Sequence, residues 1–132
     1  MSNQNLETVR RFFELVNEGA LEDLAALGSA DFELDLSHSR GLNTGVYRAE
    51  RAWQTFKDLT EAFAEYEFFE TEMIDAGDTV VRVGGIRGRG KESGAEVEAE
   101  GASVWRFRDG SAVSCALFQG RAEALEAAGL AE

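Results

Sequence analysis

Four side chains carry the chemistry this sequence could offer a small molecule. Asp35 ends an alternating run in which Phe32, Leu34 and Leu36 fall on one face and Asp31, Glu33 and Asp35 on the other. Desolvated in an apolar site, its carboxylate would gain the basicity that proton abstraction requires; in water it is one of three exposed strand carboxylates. His38, the only histidine, lies two positions past Leu36 in a Ser-rich loop. It either titrates near neutrality at the mouth of a pocket or stands solvated. Arg82 is placed by hairpin arithmetic. If Lys91 to Gly94 form a four-residue loop without bulges, Arg89 faces Glu96, Arg87 faces Glu98, Arg82 faces Ser103 and Val80 faces Trp105. Arg82 then shares a face with Ser103, Trp105 and Phe107; if that face lines a pocket, the guanidinium would polarise a carbonyl or bind an anion, with Asp35 as a partner. Adjacent Gly84 and Gly85 supply the alternative, a bulge that turns Arg82 to the surface. Cys115 has no base near it in sequence apart from His38, and reads as a packing residue before a nucleophile.

Other chemistries lack their residues. No second histidine, cysteine pair or Glu-x-x-His unit completes a metal shell. Gly88-Arg89-Gly90 lacks the Gly-Lys-Ser/Thr ending of a phosphate loop. Nothing calls for a nucleotide, metal or flavin cofactor. The 132 residues carry 13 basic against 25 acidic side chains, a net charge of -12 that opposes nucleic acid and anionic membrane surfaces. No apolar run spans a bilayer, the first residues do not have the layout of a signal peptide, and one cysteine permits no internal disulfide. A single cytoplasmic domain over 1–132 is the expectation.

The elements that must position these residues follow from periodicity. Leu6, Val9, Phe13 and Val16, widened by Phe12 and Leu15, predict a first helix capped by Asn3 or Asn5 and ended at Gly19. Leu21 to Leu27 predicts a second, and Ala49 to Phe63 a third. Asp31 to Leu36 is a strand, and Ser37 to Thr44 a polar loop. Four further strands follow at Tyr66 to Ala76, Thr79 to Arg89, Ala95 to Arg108 and Ala112 to Phe118, with Asp109-Gly110 as a tight hairpin turn. Arg121 to Ala128 predicts a short closing helix. Segregated helices with an antiparallel sheet make this α+β, and a sheet curved around the first helix would form a cone with one open end.

Several segments resemble the SnoaL-like branch of the nuclear transport factor 2-like (ketosteroid isomerase-like) superfamily. They are Val9-Arg10-Arg11-Phe12-Phe13-Glu14-Leu15-Val16-Asn17-Glu18-Gly19, Asp31-Phe32-Glu33-Leu34-Asp35, Gly45-Val46-Tyr47-Arg48 and Trp105-Arg106-Phe107-Arg108-Asp109-Gly110, followed by Arg121-Ala122-Glu123-Ala124-Leu125. The resemblance implies the cone, with the Ser103, Trp105 and Phe107 face concave, which carries Arg82 into the pocket, and with Cys115, Leu117 and Gln119 facing inward on the last strand. It places Asp35 one position from the general base of the family's isomerases, and a one-residue slip reverses a strand's face. Their oxyanion donors, a Tyr and a neutral Asp, fall on Phe12 and Ser103, which argues against steroid isomerisation. The closing strand also lacks the late carboxylate of the branch's cyclases.

The expected site is therefore an apolar pocket of about 300–1,000 Å³. Its walls are Phe12, Val16, Tyr47, Trp53, Phe56, Trp105, Cys115 and Leu117, with Asp35, His38, Arg82, Ser103 and Gln119 as polar groups. The expected activity is that of an isomerase, cyclase or hydrolase on a small hydrophobic molecule. The alternatives are a non-catalytic ligand-binding domain and a dimeric association module with a filled core. Val81, Val83, Val104 and Ala116 make the convex face apolar, which predicts a homodimer through the sheets.

Overall fold

The apolar stripe of the first segment winds into helix α1 (Ser2–Glu18); on its core face Val9, Phe12, Phe13, Leu15 and Val16 are buried and Leu6 is half-buried. The computed structural model describes residues 2–38 and 45–130, so most of the loop expected over 37–44 lies outside the described residues. Gly19, with φ +77°, turns the chain out of α1 while the amides of Gly19 and Ala20 close onto Val16 and Leu15. Asn5 is no cap. It lies inside α1, and its Nδ2 donates to the carbonyl of Gly77 at 2.9 Å, tying the helix start to a distant strand turn.

The second helical segment is a 3₁₀ helix, Leu21–Leu27, anchored by fully buried Leu24. Helix α2 (Glu50–Thr60) stops three residues short of Phe63, which enters the next strand instead. Ala49 precedes α2 at φ 54°, ψ -132°, where an L side chain crowds its own backbone, and its amide donates to Phe32 at 2.8 Å. Ala49→Gly is expected to raise stability by about 1 kcal/mol, the relieved strain less the entropy of glycine. Urea unfolding of the two proteins measures this, and a less stable variant would contradict it.

Six strands form one curved, unclosed sheet: β1 (Gly28–Asp35), β2 (Val46–Arg48), β3 (Phe63–Ala76), β4 (Thr79–Gly90), β5 (Glu96–Arg108) and β6 (Ser111–Phe118). Their spatial order is β2-β1-β6-β5-β4-β3, antiparallel throughout except for β1 beside β6. With α1, the 3₁₀ helix and α2 on its concave side, this is the α+β cone. β2, three residues long, has no expectation behind it. The β4–β5 hairpin pairs as its sequence predicts: Arg89 with Glu96, Arg87 with Glu98, Arg82 with Ser103 and Val80 with Trp105. The exposed arginines nevertheless turn to the other neighbour, Arg89 to Glu65 at 3.2 Å and Arg87 to Glu67 at 3.7 Å. Asp109 and Gly110, at φ 53° and 81°, make the tight turn into β6.

Gly84 and Gly85 keep regular pairing with β5, and the irregularity falls on β3 between Glu70 and Glu72. The two glycines serve a close approach of strands. A Cβ on Gly84 would overlap the carbonyl oxygen of Phe69, and one on Gly85 that of Ala99. Because β4 is not bulged, Arg82 stays on the concave side.

The convex face is covered from within the chain. Helix α3 (Arg121–Ala127) lays Ala124 and Leu125 over Val81, Ala102 and Val104, all of them buried. Arg121 pairs with Glu72 at 2.7 Å, and Arg106 donates to the carbonyl of Ala127 at 3.0 Å. The apolar stripe that motivated a sheet-to-sheet dimer is thus largely satisfied by α3.

Candidate functional site

A cavity of about 460 Å³ opens between α1, the end of α2 and the sheet. Its walls are apolar: Phe13 from α1, Leu36 just beyond β1, Leu59 from α2, Phe68 from β3, Ile86 from β4 and Leu117 and Phe118 from β6. Gly84, Gly85 and Gly101 leave one side as bare backbone, which gives the cavity room where side chains would otherwise meet. Its polar side chains are Arg82, Ser103 and Gln119, while Glu100, opposite Gly85, turns its side chain to the other face of the sheet.

Arg82 is the unusual group. It is only 5% exposed, and its guanidinium carbon lies 3.6 Å from the centroid of the Phe13 ring. Its Nε is buried with no hydrogen-bond partner among the described residues. Burial pulls its pKa down to about 10, with Glu70 opposing that shift. Glu70 is itself engaged by Arg10, at 3.1 Å through Nη2 and 3.4 Å through Nε. Arg82 therefore remains a cation at neutral pH, held against an aromatic face and short of acceptors.

Beside it on β5, Ser103 is 3% exposed, and its Oγ accepts the indole N–H of Trp105 at 2.9 Å. That bond uses a lone pair of the hydroxyl and leaves its own hydrogen available to an acceptor. Arg82 and Ser103 are direct cross-strand partners, so two donors stand side by side on the cavity wall.

The other expected site residues are placed differently. Asp35 lies opposite Leu34 and Leu36, which point into the core, and does not line the cavity. Its Oδ1 accepts from the backbone N–H of Ser37 at 2.8 Å and the Ser37 hydroxyl at 2.6 Å, a turn closing the end of β1. The strand alternation is the physical reason: with Phe32, Leu34 and Leu36 inside, Asp35 must face out. His38 is exposed, its ring stacked on Phe118 at 4.6 Å and its carbonyl accepting from Gln119 Nε2 at 2.9 Å. It therefore braces the rim. Cys115 is buried beneath the sheet, and burial pushes its thiol well above the ordinary value, so it stays protonated.

Most of the expected aromatic walls are core. Phe12 meets Trp105 at 4.7 Å and Phe56 at 5.0 Å edge-on, while Phe32 stacks on Trp53 at 4.4 Å. With Val16 beside them they fill the closed end of the cone. Tyr47 packs against the outside of that cluster. Arg82, Ser103, Leu117 and Gln119 are the expected site residues that do line the cavity. Phe13, Leu36, Leu59, Phe68 and Ile86 line it without having been singled out. Ile86 was within reach, since it shares the strand parity of Arg82. Among the described residues no group of three His, Cys, Asp or Glu side chains is arranged to hold a metal ion, and no helix is long and apolar enough to cross a membrane.

Among curated proteins, none matches the chain. Solved structures do. An NTF2-like protein of unknown function from Burkholderia pseudomallei superposes with a TM-score of 0.75 at 23% identity, covering 93% of this chain and 95% of its own. A SnoaL-like polyketide cyclase (so described provisionally) from Jannaschia superposes at 0.74 with 23% identity, covering 88% and 85%. The epoxide hydrolase/cyclase-like enzyme SalBIII, of pyran ring formation in the polyether salinomycin, gives 0.74 at 16% identity, covering 91% and 95%. A sequence model of the SnoaL-like domain matches residues 9–115, across both the helical half and the hairpin that carries Arg82 and Ser103. On that match the chain belongs to the SnoaL-like family, and its fold is that of the NTF2-like proteins it superposes on.

Proposed function

We propose that this chain takes a small, mostly hydrophobic molecule into the Arg82 cavity and transforms it by isomerase- or cyclase-type chemistry, without a cofactor. The observation that carries the reading is a buried, under-satisfied guanidinium beside a hydroxyl donor in an otherwise apolar cavity. Both reactions build negative charge on a carbonyl or alkoxide oxygen as a proton leaves or a ring closes. A fixed cation in a dry site stabilises that charge without reorganising solvent. The family, and the cyclase character named for two of its structural neighbours, support the same reaction classes.

In this reading Arg82 holds the developing oxyanion and Ser103 donates a second hydrogen bond. The apolar walls orient the substrate and exclude water. Glu100, the one carboxylate among the described lining residues, pairs with Gly85 and so lies on the strand face opposite to Ser103; a proton lost by the substrate passes to water at the cavity mouth. A second reading, ligand binding without turnover, is favoured by one observation: Asp35 stands outside the cavity, so no carboxylate is seated deep beside Arg82.

Incubation with a panel of small aromatic 1,3-diketones and epoxides, followed by mass spectrometry and chromatography, separates the two. A compound converted by the wild type and at least about 100-fold more slowly by Arg82→Met, as for loss of an oxyanion donor, supports catalysis. Compounds retained in the cavity unchanged select the binding reading.

A further inference from the structure

We propose that the molecule this cavity recognises is an amphipathic monoanion, an aromatic or alicyclic skeleton bearing one acidic oxygen, docked with that oxygen on the Arg82 guanidinium and the Ser103 hydroxyl. The inference rests on the reading that the cavity holds a small molecule, and adds the charge and orientation of that molecule.

Three features of the wall point to an anion. First, its deep polar groups favour acceptors: Arg82 has no acceptor capacity, and one of the two lone pairs of Ser103 is taken by the Trp105 indole. A ligand that offers acceptors satisfies both, whereas one that offers only donors leaves the Arg82 guanidinium without a partner. Second, Arg82 is 95% removed from solvent and its Nε has no partner among the described residues, while the nearby carboxylate of Glu70 is taken by Arg10. A bound anion would supply the counter-charge that the fold withholds, and a charge-assisted bond in such a site is stronger than a neutral one. Third, the guanidinium is held over the Phe13 ring at 3.6 Å, so its position is set before a ligand arrives.

The charged surroundings limit that anion to a single charge. Arg10, Glu14 and Glu70 line a smaller hollow on the α1 side of Arg82, and Glu100 stands exposed nearby on the other face of β5. The whole chain carries a net charge of -12. One buried cation in that field accommodates a carboxylate, enolate or phenolate, but a phosphate dianion would meet repulsion that no second cation offsets.

The test compares three probes of one shape on the purified full chain: 2-naphthoate, its neutral ketone counterpart 2-acetonaphthone, and 2-naphthyl phosphate. Binding is followed by calorimetry at pH 7.5. The wild type is expected to bind 2-naphthoate about 10- to 100-fold tighter than the ketone, the range for a hydrogen bond to a charged group, and to bind the phosphate more weakly than 2-naphthoate. Arg82→Met should erase the preference for 2-naphthoate while leaving ketone affinity within a few-fold. Arg82→Lys should retain part of the preference, and far-UV circular dichroism establishes that each variant is folded. Equal or tighter binding of the ketone by the wild type overturns the inference, as does a preference that survives Arg82→Met. A phosphate bound more tightly than 2-naphthoate overturns the limit to one charge. If the wild type binds none of the probes, the failure is that of the small-molecule cavity itself, and the inference falls with it.

Discussion

Trp105→Ala is expected to cost about 4 kcal/mol of stability, within the range for emptying a buried aromatic site. Trp105 is 2% exposed and lies edge-on to Phe12 at 4.7 Å and to Phe13 at 6.0 Å, with Phe32 at 6.2 Å. Removing it opens a void at the junction of α1, β1 and β5, and those three rings cannot close it without moving backbone. It also strips Ser103 of the indole N–H that orients its hydroxyl. Urea unfolding monitored by circular dichroism measures the loss, and a cost below about 1 kcal/mol would mean that the aromatic stack is not what holds the closed end together. Trp105→Phe separates the two roles. It keeps most of the packing, so a variant of near-normal stability with weakened 2-naphthoate binding would assign the indole N–H to positioning Ser103.

Arg82→Met is expected to do the opposite to the empty protein and stabilise it by about 2 kcal/mol, since an unpaired buried ion is commonly worse than an apolar side chain of similar length. The depressed pKa of Arg82, about 10 and well below the ordinary guanidinium value, expresses the same cost, on the order of 3 kcal/mol. The sign of its pH dependence follows. Below about pH 10 the side chain is charged in both folded and unfolded chains, and the penalty is present in full. Above about pH 10 the folded form releases its proton while the unfolded form, at its higher ordinary value, keeps it, so this group's contribution to stability rises with pH. Arg82→Met removes both the penalty and that rise. Thermal unfolding at pH 7.5, without ligand, is the direct measurement. A variant less stable than wild type would show that Arg82 earns its place in the fold through the Phe13 contact alone. A more stable variant that has lost its preference for anions would be a trade of stability for function.

What could be read before the structure depended on how local the determinant was. The β4–β5 register was legible because it needs only a loop length and an unbroken alternation, and both hold from Arg89 to Val80. That register brought Arg82 beside Ser103 on the cavity wall. The alternation of β1 also placed Asp35 opposite Phe32, Leu34 and Leu36. Only its nearness to the family's base position drew it toward the cavity, and the strand pleat prevails. β2 was invisible because three residues are too few to display a period of two. Phe63 kept helical spacing with Phe56 and Leu59, so the sequence could not show that the helix ends at Thr60. The irregularity between Glu70 and Glu72 and the docking of α3 on Val81 and Val104 arise from contacts between segments far apart in the chain, and no periodicity encodes them.

The paired glycines of β4 bear on how such a protein can change over generations. Substitution of Gly84 or Gly85 thrusts a methyl into a neighbouring strand's carbonyl, so selection rejects such variants before any ligand is consulted. The empty volume of the cavity is thereby insulated from drift. Ile86, Leu59 and Leu117 carry no comparable backbone constraint and are open to exchange. New specificities should therefore be reached by recutting the apolar walls around an unchanged space, and a library built for altered ligands would vary those three positions while leaving the glycines untouched.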